Sequence, residues 1–202
     1  MMRIIENLRD DMAALGELRG LAFCAISLER ALPNYFRFQV DSKRVGGGLL
    51  RYLLAKAWQR LEGDRWDLPK SMMNECADAG PDPEDLSSLY SLSAIDAVTI
   101  ASLLVDFGSS SSVDALLWIA QSRTDSATRL VEQLQSDPDR GHEVREGDDE
   151  RASLNAMRVI QEDISALLAV SSAEDVRTTA LTRIAQVNAI REHGNVIWLS
   201  FW

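Results

Sequence analysis

ERALPNYFRF, residues 29–38, sets a charged pair, a proline, an asparagine and an aromatic cluster into ten positions. The residues before it read as a helix, Glu17–Leu32, with Leu18, Leu21, Ala25, Leu28 and Leu32 on one face. Pro33 has no N–H to donate and suits a first turn, so the helix is expected to end there and a short one to follow from Asn34 to about Val40. On a helical wheel Glu29 falls in line with Leu18, Ala22 and Ala25, inside the apolar stripe. Arg30 lies at the stripe's edge, beside Phe23 and Ile26.

Working outward, the same periodicity recurs along the chain. Met2–Leu15 precedes a break at Gly16, and GGG at 46–48 is a loop. Leu49–Leu61 is amphipathic through Leu50, Leu53, Leu54, Ala57, Trp58 and Leu61, so Trp58 reads as core. Residues 67–78 read as a helix, and Pro83 with Glu84 and Asp85 as a new start. Ala94–Phe107 is apolar around most of its circumference and is expected to be the central buried helix. Helices also follow over 113–134, where Trp118 reads as core, over 154–168, and from a Ser172 cap to about Arg191. SDPDRGHEVREGDDE, residues 136–150, reads as an exposed acidic connection, and the apolar tail 194–202 as a segment that docks on the body or offers an adhesive surface. The fold class is therefore all-α: a single-domain multi-helix bundle, residues 1–202, of about eight helices. Only 11 Gly and 5 Pro in 202 residues argue against many short turn-linked strands.

Asp96 repeats the anomaly of Glu29. It aligns with Ile100, Leu103 and Phe107, away from the polar stripe of Thr99, Ser102 and Asp106. A buried carboxylate must be protonated, paired or hydrogen-bonded. Glu29 is expected to pin the corner made by Pro33, with Arg30 or Arg51 as a guanidinium partner. Asp96 is expected in a cap begun by Ser93, since SAID has capping-box spacing. The functional alternative is a pocket in which Glu29, Arg30, Tyr35 and Asp96 converge for acid–base work.

Composition excludes several classes. A net charge of −10, from 21 Lys and Arg against 31 Asp and Glu, repels phosphate backbones, so no nucleic acid is expected. Two cysteines without a Cys/His cluster, and two histidines outside any Glu-x-x-His pair, leave no metal or cofactor motif. VGGGLL lacks the GK[ST] of a phosphate loop. The N-terminus carries acids where a signal peptide needs an uninterrupted apolar core, no membrane span is expected of the apolar stretch with Asp96, and a reducing cytoplasm is the expected compartment.

LERALPNYFRF and YSLSAIDAVTIASLL resemble two segments of the YjaG-like bacterial family, a domain of unknown function, over about residues 18–195. The resemblance implies a small all-helical cytoplasmic protein with no established activity, linked by association to histidine-kinase signalling. Its motif positions here are Glu29, Arg30, Pro33, Asn34, Tyr35 and Asp96. The leading expectation is a non-enzymatic interaction or regulatory protein with a protein partner or self-association. The alternative is a small-molecule-binding protein or enzyme with a pocket at the 29–35 corner.

Overall fold

A computed structural model describes residues 2–82, 88, 90–136 and 147–193, and all of its regular structure is helical. Among the described residues there are seven helices: α1 (Met2–Ser42), α2 (Gly47–Leu61), α3 (Met72–Asp78), α4 (Ser91–Ser110), α5 (Val113–Ser136), α6 (Asp148–Leu168) and α7 (Ala173–His193). The start expected at Pro83, most of the 136–150 connection and the 194–202 tail lie outside the described residues.

α1 is the spine, packing against α2, α4, α5, α6 and α7. It is kinked at Gly16, whose φ of 64° and ψ of −168° fall in a region open essentially to glycine alone. Open space surrounds the position where a Cβ would sit, so the constraint is the backbone itself. Gly16→Ala should therefore cost about 1–3 kcal/mol of unfolding free energy. Urea titration checks this, and an unchanged midpoint would show that the kink relaxes freely.

Pro33 does not end the helix. α1 runs through it to Ser42, so the two helices expected on either side of Pro33 are one. Burial outweighs the missing hydrogen bond, because the stripe of Leu28 and Leu32 continues into Tyr35 and Phe38, all essentially inaccessible. About eight helices were expected, and the described residues form seven. The 67–78 helix is also shorter than its pattern, beginning at Met72.

α4 spans the central apolar stretch and extends it at both ends. Ala94, Ala97, Ile100, Ala101, Leu104, Val105 and Phe107 are buried, and α4 packs on α1, α2, α3 and α5. By length and composition alone it would be long enough to cross a membrane. Here its apolar surface is taken up by neighbouring helices. α1 approaches it closely at Gly20, where a Cβ would stand 2.3 Å from Phe107 Cζ. The core continues through α2, α5, α6 and α7, with a satellite cluster of Ala127, Val131, Ala152 and Ala156 between α5 and α6. Ser172 caps α7, its Oγ accepting the Asp175 N–H at 3.1 Å. Trp58 is half-buried on the core, whereas Trp118 is 63% exposed. Trp118 lies across α5 from the stripe of Leu116, Ala120 and Ala127, which turns it to solvent.

Candidate functional site

The ERALPNY stretch meets the rest of the molecule through Arg30. Its guanidinium reaches Asp163 of α6 in a bidentate pair, one arm being Nη2 to Oδ1 at 3.0 Å and the other Nη1 to Oδ2. Two more arginines converge on the same carboxylate. Arg123 of α5 donates from Nη1 to Oδ2 at 3.1 Å, and Arg183 of α7 from Nε to Oδ1 at 2.8 Å. Asp163 is wholly buried, and Arg30 and Arg123 nearly so.

Four donors match the roughly four lone-pair positions of a carboxylate. Asp163 thus has no acceptor capacity left with which to take a proton from a substrate. Burial alone would raise its pKa, but the guanidiniums of Arg123 and Arg30 and the hydrogen bonds outweigh that and hold it below the usual carboxylate range. Burial, aided by the charge of Arg30, brings Arg123 down to about 10. Arg183 is also buried in part, yet its bonds to Asp163 and Glu162 raise it.

The surrounding groups complete the node. Arg123 Nη1 donates to Ser27 Oγ at 3.3 Å, and its Cζ stands 5.7 Å from the Phe23 ring centre. Arg183 Nη2 donates to Glu162 Oε2 at 3.1 Å, and its Nη1 to Gln186 Oε1 at 3.0 Å. The arrangement ties α1, α5, α6 and α7 together at one point.

The other motif residues take different partners. Tyr35 is fully buried and donates its hydroxyl to the Ala79 carbonyl at 2.7 Å. Burial raises its pKa, with Arg44 opposing. A Cβ on Gly46 would lie 2.1 Å from that hydroxyl, so Tyr35 is closed over by the turn that follows α1. Glu29, Pro33 and Asn34 are half-buried along α1.

Asp96 is only 5% exposed, as its wheel position implies. It lies in the second turn of α4, which begins at Ser91, so the expected Ser93 cap is not formed. Its partner is Arg129 of α5, Nη1 to Oδ1 at 3.0 Å. Its Oδ2 is buried without a hydrogen bond. Burial raises the Asp96 pKa to about 6 despite Arg129 and a bond from Ser126, and Asp125 adds to the rise.

Asp163, Arg123 and Arg183 were not singled out from sequence, although the wheel applied to Glu29 finds all three. Asp163 lines up with Ala156, Ile160 and Leu167; Arg123 with Leu116, Ala120 and Ala127; Arg183 with Val176 and Ala180. Three charges on three apolar stripes signal one buried cluster.

Among the described residues no group of three or more His, Cys, Asp or Glu side chains is placed to hold a metal ion. Both cysteines are buried free thiols, and burial raises their pKa values, that of Cys76 to about 11. A groove of about 400 Å³ opens at the far end of α1, lined by Phe36, Gln39, Val40, Gly47, Gly48 and Arg51.

A family model described as "Protein of unknown function (DUF416)" matches residues 7–195. The fold is similar to that of the crystal structure of a DUF416 family protein from Shewanella baltica OS155, with a TM-score of 0.72 and 18% identity. That match covers 88% of this chain and 93% of the other. Among curated proteins no relative matches the chain.

Proposed function

The chain belongs to the DUF416 family, whose function is unknown, and we propose that it is a non-enzymatic interaction protein. In this reading it is a cytoplasmic helical adaptor or regulator of the YjaG-like type. It acts by holding another protein chain or a second copy of itself. One observation carries the reading: the interior charges are tied helix to helix, while one short segment carries three exposed large apolar side chains. Val40, Val45 and Tyr52 are 76%, 89% and 46% exposed at the end of α1 and the start of α2. Exposed apolar groups concentrated in one segment favour association.

The pocket alternative has less support. It requires Glu29, Arg30, Tyr35 and Asp96 to face a common ligand, and Arg30, Tyr35 and Asp96 are each engaged with a different helix or turn.

Size-exclusion chromatography with light scattering on the full chain, and on a form ending at Asn195, tests self-association. A mass of a dimer or larger is expected for the full chain. A monomer at about 100 μM would remove self-association, since a stable homodimer has a Kd far below that concentration. A ligand-dependent rise in Tm that Glu29→Gln abolishes, with the fold intact, would favour the pocket.

A further inference from the structure

The segment Phe36–Tyr52 differs in charge from the rest of the molecule. It carries four cations, Arg37, Lys43, Arg44 and Arg51, against the single acid Asp41, in a chain of net charge −10. Arg37, Lys43 and Arg51 are exposed and have no ion-pair partner among the described residues. Half of the exposed large apolar residues in the described chain, Val40, Val45 and Tyr52, fall on these 17 positions. Val40 lines the groove whose wall is Phe36, with the Arg51 guanidinium 4.3 Å from its ring centre.

The surface is held in shape. Gln39 Nε2 donates to the Arg44 carbonyl at 3.1 Å, and Arg44 Nη1 to the Gly80 carbonyl at 3.2 Å. Lys43 is kept in the left-handed region at φ 57°. Gly47 lets α2 press on α1, because a Cβ there would stand 2.4 Å from Gln39 Oε1 and 2.5 Å from Phe36. α2 also begins on Gly46 without a side-chain cap or a first-turn acid, so the positive end of its dipole is uncompensated at the groove.

We propose that the α1–α2 turn is a docking surface for an acidic protein segment bearing apolar side chains. This rests on the interaction reading above and names the partner's chemistry. The apolar anchor seats on Phe36, Val40 and Val45, and the partner's carboxylates meet Arg37, Lys43 and Arg51. A long polyanion fits less well. The acidic remainder of the molecule repels charge that extends past the turn, and the centre of the patch is apolar.

Fluorescence anisotropy of the full chain against a labelled Glu-rich peptide carrying two Leu and one Trp tests the assignment. Saturable binding is expected. Arg37→Glu with Arg51→Glu should weaken it about tenfold or more, and raising NaCl from about 50 to about 300 mM should weaken it too. Val45→Ser should also weaken it. All three positions are exposed, and an unchanged Tm confirms that each variant folds. No saturation, or equal affinity in the variants, overturns the site. Equal binding of an all-Glu peptide overturns the apolar anchor, and tighter binding of a single-stranded oligonucleotide overturns the protein-segment assignment. Dimerisation or partner capture that persists in the Arg37→Glu, Arg51→Glu variant refutes this surface alone. A monomer with no protein partner refutes the interaction reading itself.

Discussion

Asp163→Ala is expected to lose about 3–5 kcal/mol of unfolding free energy, the cost of leaving buried charge without its counter-ion. The loss is large against the roughly 5–15 kcal/mol that a domain of this kind possesses. The reason is the imbalance of the node. Arg30, Arg123 and Arg183 all converge on one carboxylate, and removing it leaves three guanidiniums beside one another, with Glu162 still paired to Arg183. Arg30 and Arg123 are too deep to reach water without opening the α1–α5–α6 contact. Removing Arg183 should cost less, because it lies nearer the surface and Arg30 and Arg123 still neutralise Asp163. Chemical denaturation at neutral pH checks the order. A loss below about 1 kcal/mol for Asp163→Ala would place the node among weakly contributing surface pairs.

Asp96→Asn is expected to act in the opposite direction. The folded-state pKa of Asp96 is raised to about 6 from an ordinary 3.8, chiefly by burial. Between those values the folded state binds the extra proton. Stability therefore falls as pH rises from about 4 to about 6, and the penalty persists above that range. About two units correspond to ~3 kcal/mol at most. An amide removes that charge cost but forfeits the pair with Arg129 and leaves an N–H in place of the unbonded Oδ2. A net gain of about 1–2 kcal/mol at pH 8 follows, since Arg129 is partly exposed and readily hydrated. The groups facing Asp96 on α5 are Asp125, Ser126 and Arg129, and the variant should lose the fall in stability across that interval. Lower stability at pH 8, or an unchanged slope, would contradict this. Asp163 has the reverse sign: its contribution is present above about pH 4 and is lost as pH drops through its lowered folded value.

The helical class, and the burial of most of the apolar stretch 94–107, were legible because apolar spacing reports which face is inside. The same spacing exposed Asp96 as a buried acid and placed Glu29 near the interior. Pairing was not legible. Arg30 and Asp163 are 133 residues apart, and no local rule connects them. Arg30 looked suited to its neighbour Glu29 because sequence proximity was the available guide. Pro33 misled for a related reason: its local cost is fixed, whereas the burial of Tyr35 that helps to offset it depends on the Gly46 turn and Ala79, distant in sequence, closing over it. The SAID capping pattern failed because α4 starts before Ser93, which places Asp96 one turn too far along to cap it.

The most direct test of the buried charges as ties between helices is a double-mutant cycle on Arg30→Gln and Asp163→Asn, read by urea unfolding. Removing both partners relieves the crowding among guanidiniums that removing Asp163 alone creates. The double variant should therefore be more stable than the sum of the single losses by about 2–3 kcal/mol. Losses that simply add would mean that Arg30 and Asp163 do not hold α1 to α6.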